Sequence, residues 1–134
     1  MRLALPQARR LEEAEVPIIR HSDVQAFEDD DGAVIREVAA PSNSDLQRLS
    51  VAEISVKAGQ ATSMHHHERI EEVYCILRGT GVMHVDGQSQ PVGPGDTVII
   101  LPGTRHLLRN TGADDLQMIV VCSPPFSVED SHPD

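Results

Sequence analysis

Residues 59–79, GQATSMHHHERIEEVYCILRG, hold the side chains best suited to chemistry. Three histidines run consecutively, His65 to His67, and Glu71 and Glu72 follow at the start of an apolar run. On a β-strand, residues two apart share a face. His65 and His67 therefore point the same way and His66 the other. Two imidazoles and a carboxylate, Glu72, brought together from neighbouring strands fit a first-row transition metal. A fourth ligand is available downstream at His106. Mn, Fe, Co, Ni and Zn all accept such ligands, and the residue types do not choose among them. Nothing in the chain resembles a Ser-His-Asp set, a phosphate-cradling glycine loop or a CxxC site. Lys57 is the only lysine, which argues against Schiff-base chemistry.

Composition sets the frame for that cluster. A chain of 134 residues makes one domain, large enough to bury most of its apolar surface. With no Trp, one Tyr and two Phe, the core must come from Val, Ile, Leu and Ala, and the β-branched members of that set favour strands. The 21 acidic against 11 basic residues give a net charge of -10, which opposes binding to nucleic acid or anionic membranes. No apolar run approaches a membrane span. The N-terminus turns charged too soon for a signal peptide, so a cytoplasmic location is expected. Cys75 and Cys122 read as free thiols in such a setting.

The elements that must position the cluster are short strands separated by turns. Residues 1–15 read as a short amphipathic helix or a loose arm, ended by Pro17. Residues 16–20 fit an edge strand, 33–39 a strand and 46–59 a long strand closed by Gly59. Further strands are expected around 62–67, 71–78, 81–87, 89–92, 97–101, 105–110 and 116–122. Asp86-Gly87 is a hairpin signal. Residues 123–134 read as an extended tail that leaves the barrel. Many short strands with turns every few residues indicate a β-sandwich or barrel.

The spacing carries a resemblance. Gly59, His65, His67, Glu72 and Gly79 meet the first cupin motif, G-x5-H-x-H-x3,4-E-x6-G, at every position. Gly95, Gly103, His106 and Asn110 meet the second, G-x5-P-x-G-x2-H-x3-N, with Leu101 at the proline position and Pro102 one residue late. The chain thus resembles a small single-domain cupin over about residues 33–123. Its length and its tail are similar to the small bacterial cupins labelled mannose-6-phosphate-isomerase-like. The resemblance implies an all-β fold, a cupin-type double-stranded β-helix (jelly-roll barrel). The N-terminal arm and edge strand would occupy 1–32, the barrel 33–123 and the C-terminal tail 124–134. It also implies one divalent metal (Mn, Fe, Ni, Co or Zn) held by His65, His67, Glu72 and His106. The spacing to Gly79 favours Glu72 over Glu71 as the carboxylate ligand.

Other residues are read against that frame. Tyr74 and Ile76 share the inward face with Glu72, and Leu108 and Asn110 share that of His106. Tyr74 is either a proton or hydrogen-bond donor to a bound ligand or a barrel-filling aromatic. Glu72, if not bound to metal, is a candidate base. Arg36, between Val34 and Val38, is either an edge residue or an anion holder for substrate; Arg48 and Arg78 are weaker candidates. Cys75 alternates away from Glu72 and is expected between the sheets.

The function expected is that of a metal-dependent enzyme on a small polar metabolite, a sugar or hydroxy acid, of isomerase or lyase type. Iron would open a dioxygenase reading. A non-catalytic, metal-bearing binding module is the alternative class. Exposed strand edges, with residues 16–39 suited to cover or exchange them, point to a homodimer.

Overall fold

The structure is a computed structural model that describes residues 16–134. The helix or arm expected at 1–15 lies outside the described residues. The strands are β1 (Phe27–Glu28), β2 (Val34–Ala39), β3 (Ser50–Val56), β4 (His65–His66), β5 (Glu71–Arg78), β6 (Gly81–Val85), β7 (Gln88–Val92), β8 (Thr97–Ile100), β9 (His106–Asn110), β10 (Leu116–Ser123) and β11 (His132–Pro133). Two 3-10 turns, His21–Asp23 and Val128–Asp130, are the only helical elements among the described residues. None of the helices there is long and apolar enough to cross a membrane.

Two antiparallel sheets face each other as a jelly roll. One has the order β1-β2-β3-β10-β5-β8 and the other β11-β4-β9-β6-β7. Strand β10 is the spine of the larger sheet, running from Leu116↔Val56 to Cys122↔Ser50 against β3 and from Gln117↔Arg78 to Ser123↔Glu71 against β5. Its alternation explains its place. Leu116, Met118, Val120 and Cys122 are buried, while the residues between them face the other way and stay partly exposed. The core is aliphatic, as the composition requires: Val56, Ile70, Ile76, Ile100, Leu108, Leu116 and Met118 are almost fully buried. Each contributes about 1.5–3 kcal/mol through burial. Tyr74 is the one aromatic side chain among them.

Turn chemistry sets the register. Asp86 and Gly87 both have positive φ, 47° and 83°, as the tight hairpin between β6 and β7 needs. Gly79 turns β5 into β6 at φ 86°, and a Cβ there would meet the Asp115 carbonyl oxygen at 2.5 Å and Leu116 Cα at 2.8 Å. It is therefore glycine for two reasons, conformation and close backbone approach.

Several expected elements differ. Residues 16–20 form no strand. The long strand expected at 46–59 shrinks to β3: at one end Leu46 N–H is taken up by Ser44 Oγ of the preceding loop, and at the other Gln60 N–H closes a turn on the Lys57 carbonyl. The strand expected at 62–67 is only β4, since Thr62 bonds to Leu108 through both backbone and hydroxyl. Cys75 sits on the outer face of the larger sheet, not between the sheets, because Glu72, Tyr74 and Ile76 take the inner face of β5.

The largest correction concerns the tail. Residues 124–134 do not leave the barrel as an extended segment. They turn back at Val128–Asp130, and β11 pairs with β4 through His132↔His66 and Pro133↔His65. The buried Asp130 carboxylate fastens this return by accepting from three successive backbone N–H groups, those of Glu68, Arg69 and Ile70, at 2.9, 3.0 and 3.1 Å.

Two glycine variants test the account of the β5–β6 turn. Gly95 also has positive φ (91°) but has open space around a Cβ. Gly95→Ala should cost about 1–2 kcal/mol, the conformational term alone. Gly79→Ala should cost clearly more, because backbone stands where its methyl group must go. Denaturant melts of the two variants check this, and equal losses would refute the close-approach argument.

Candidate metal centre

The inner faces of three strands and the β4–β5 loop bring four side chains together. His65 lies on β4, His67 just after it, Glu72 on β5 and His106 at the start of β9. Their ligand atoms all lie within 4.8 Å of one another. The His65 ring packs on that of His106 with centroids 4.3 Å apart and on that of His67 at 5.0 Å. His67, Glu72 and His106 are buried, and His65 is half-buried at the open side.

Hydrogen bonds to the far ring nitrogens fix what each imidazole presents. His65 Nδ1 lies 2.9 Å from the Ser63 carbonyl, His67 Nδ1 2.8 Å from that of Asp130, and His106 Nδ1 2.8 Å from that of Thr104. A carbonyl oxygen only accepts, so each Nδ1 carries the proton and each neutral ring offers the lone pair of Nε2 inward. Metal-ligating histidines are held by bonds of this kind.

Glu72 completes the set. Its Oε1 lies 3.3 Å from both His67 Nε2 and His106 Nε2. Those three atoms are buried and have no hydrogen-bond partner. An orphaned buried polar atom costs about 1–3 kcal/mol, so three at one point need a common partner. Ligand bonds of about 2.0–2.1 Å place neighbouring ligand atoms about 2.8–3.4 Å apart, between octahedral and tetrahedral angles. The 3.3 Å spacings meet that requirement, so the residues fit a divalent transition ion. The other carboxylate oxygen, Oε2, accepts from the Cys122 thiol at 3.4 Å, which leaves Oε1 facing the imidazoles.

The electrostatics agree. Burial alone would raise the Glu72 pKa, but protonation of His106 and His67 at Nε2 outweighs it and holds the carboxyl at about 2; an ion bound at that point would take the place of those protons. Burial pulls His67 down, yet Glu72 and the Asp130 carbonyl raise it overall. Burial lowers His65, aided by the adjacent His106 and His67 and opposed by the bond to Ser63. Burial, and after it the Glu72 charge, push Tyr74 and Cys122 well up, so both keep their protons.

Tyr74 lies two residues beyond Glu72 on the same face, its ring edge-on to His106 with centroids 6.1 Å apart. No hydrogen bond from the described residues reaches its hydroxyl. Arg36 is not brought to the cluster. It points from the outer face of β2, where its guanidinium donates to the Val24 carbonyl and lies 3.5 Å from the Glu53 carboxylate. Its apolar neighbours in sequence misled, because β2 is partly exposed on both faces. Arg48 and Arg78 are exposed. A surface depression of about 520 Å³ around Arg78, Asp114 and Asp115 holds none of the four cluster residues. A groove of about 320 Å³ runs along the seam between β7 and β8 and is lined by Met83, Val85, Val92 and Val98 among others. Val85 is the register partner of His106 and Val98 that of Tyr74.

Sequence reasoning missed the groups that orient the ligands. Ser63 and Thr104 each stand two residues before their histidine, a local pattern visible once the tautomer question is asked. Asp130, 63 positions from His67, left no local signal. Cys122 meets Glu72 only through the β10–β5 register.

Comparison with known proteins adds the lineage. A family model described as "Cupin domain" matches residues 52–122. An uncharacterized protein of Methanocaldococcus jannaschii is 39% identical over 101 residues, covering 75% of this chain and 81% of its own. The oxalate-binding protein of Thermotoga maritima is 36% identical over 70 residues, 52% of this chain and 58% of its own. Among solved structures, Streptomyces Pac13, a nucleoside dehydratase, superposes with a TM-score of 0.75 at 18% identity, over 90% of this chain and 92% of its own.

Two measurements follow from the geometry. Asp130 is lowered from an ordinary 3.8 to about 2, because the N–H groups of Glu68, Arg69 and Ile70 and the nearby His132 outweigh its burial. A depressed carboxyl stabilises the fold fully above its ordinary pKa and loses that contribution as pH falls through its folded value. Asp130→Asn should therefore lose about 1–3 kcal/mol near neutral pH. It should also weaken less than the parent between about pH 4 and pH 2, as read from denaturation midpoints. Separately, a colorimetric thiol reagent should reach buried Cys122 only after unfolding.

Proposed function

The chain belongs to the cupin family, and on that premise we propose that it is a metal-dependent enzyme acting on a small polar metabolite, of isomerase or lyase type. The observation that carries this reading is the convergence of His67 Nε2, His106 Nε2 and Glu72 Oε1, buried and without partners, with His65 closing the set. These four residues would hold one Mn, Fe, Co, Ni or Zn ion. Such an ion, when bound, polarises a carbonyl or hydroxyl oxygen of the substrate.

The residues of the chain divide the remaining tasks. Tyr74, kept protonated by its surroundings, serves as hydrogen-bond or proton donor to a substrate oxygen. Glu72, whose Oε1 faces the Nε2 atoms of His67 and His106 at 3.3 Å, acts as a ligand. Ile70, Ile76, Ile100 and Leu108 keep water from the inner side of the cluster. The seam groove, lined by Val85 and Val98, the register partners of His106 and Tyr74, would take the body of the substrate. With Arg36 engaged on the outer face, a phosphorylated substrate is disfavoured against an uncharged one or a hydroxy acid gripped through its own oxygens.

A second reading, a metal-bearing binding module without turnover, has one observation in its favour. Tyr74 and the Cys122 thiol both keep their protons and so leave no free base facing the cluster among the described residues, and the relative in Thermotoga is named an oxalate-binding protein. A homodimer fits either reading: Ile99 and Leu77 on the outer face of β8 and β5 are more than half exposed, beside Val73, Ile119 and Val121. A cytoplasmic setting agrees with Cys75 and Cys122 being free and facing opposite sides of the sheet.

Elemental analysis of untagged protein purified without chelator tests the premise. It should give about one transition ion per chain, and His106→Ala should weaken metal affinity by at least about 10–100-fold. A parent that neither carries nor takes up an ion would overturn the proposal. With metal shown, Tyr74→Phe should retain the ion and lower turnover of a hydroxy-acid or sugar substrate by about 10²–10⁴-fold. Ligand binding without turnover in the parent would decide for the binding module.

A further inference from the structure

We propose that the chain carries a second divalent transition-metal site, on the side of β4 opposite the central cluster, built by Glu68, Asp130 and His132 with His66 beside them. The ligand atoms of Glu68, Asp130 and His132 all lie within 4.8 Å of one another. His132 Nε2 is 3.5 Å from Asp130 Oδ1 and 3.9 Å from Glu68 Oε1. His66 Nε2 approaches the other oxygen of Glu68 at 4.0 Å. The His66 and His132 rings are stacked, centroids 5.1 Å apart and 24° from parallel. Two imidazoles thus turn their Nε2 atoms toward one carboxylate, at distances too long for hydrogen bonds.

Coordination would close those gaps. Neighbouring ligands of a zinc-type ion stand about 3.0–3.4 Å apart. The His132–Asp130 pair is almost there, and the Glu68 side chain, 66% exposed, is free to swing the remaining distance. Asp130 is the fixed anchor. Its Oδ2 accepts from Arg69 and Ile70, while Oδ1 accepts only from Glu68 N–H and keeps a lone pair for an ion. His66 is oriented in the manner of a ligand: its Nδ1 lies 2.6 Å from Asp134 Oδ2, which leaves Nε2 to face Glu68. Imidazoles mixed with carboxylates select zinc, copper, nickel or cobalt over magnesium or calcium.

The site joins the returning tail to β4, since His132 lies on β11 and His66 is its register partner. It also touches the central cluster through one residue. The Asp130 carbonyl holds the Nδ1 proton of His67, while its carboxylate faces His132. An ion here would lock the tail in the position that orients His67.

The test is zinc titration of the chelator-stripped full chain, read by equilibrium dialysis and elemental analysis. The parent should bind about two equivalents, the second more weakly than the first. His132→Ala and Glu68→Gln should each lose the weaker equivalent and keep the tighter one. His106→Ala should do the reverse, which separates this site from the central one. Circular dichroism without zinc establishes that each variant is folded, and either peripheral variant alone suffices if the other is not. Saturation of the parent at one equivalent would overturn the proposal. So would a second equivalent that survives in both His132→Ala and Glu68→Gln.

Discussion

Three backbone carbonyls decide what the buried histidine cluster presents inward. Those of Ser63, Thr104 and Asp130 each take the Nδ1 proton of one imidazole. Because a carbonyl can only accept, each ring is committed to one tautomer and one orientation. The consequence is a set of inward lone pairs against an ionised carboxylate, an arrangement that neither hydrogen bonding nor hydrophobic packing satisfies. Buried polar atoms left this way oppose folding. The rest of the barrel must therefore be stable enough to carry them.

That stability comes from the spine of the larger sheet. Strand β10 has hydrogen-bonded neighbours on both sides and packs Leu116, Met118 and Val120 into an aliphatic core that holds Ile76 and Leu108. The same register delivers Cys122 opposite Glu72, where its thiol occupies one carboxylate oxygen and leaves the other to the imidazoles. One strand thus contributes both the packing energy and the orientation of a candidate ligand. Precision of this kind suits a site placed on strands, whose side chains are locked by packing.

The smaller sheet has a weaker hold on its part of the site. Strand β4 is two residues long, and its neighbours are β9 on one side and β11 on the other. Its position depends on the C-terminal return, clamped by the Asp130 carboxylate on three N–H groups of the β4–β5 loop. A short strand carrying His65 and preceding His67 would otherwise be among the least protected parts of the fold. The tail is a structural member of the cluster, although it supplies no side chain to it.

How much of this was written in the chain can be argued residue by residue. Period-two alternation put His65 and His67 on one face and Tyr74 on that of Glu72, and the resemblance to the two cupin motifs joined Glu72 and His106 to them. Period-two alternation and the glycine positions carry that information locally. The all-β architecture and the aliphatic core were legible for the same reason. What the sequence could not express was contact between distant segments. The clamp of Asp130 on residues 68–70 spans about sixty positions, and the Cys122–Glu72 pairing fifty. The outward position of Arg36 follows from the pairing of β2 with β3, which sets it opposite Glu53. Side-chain type and local period determined which groups could bind an ion. The strand register and the folded-back tail, which only tertiary structure sets, decided how those groups are held and which other residues they meet.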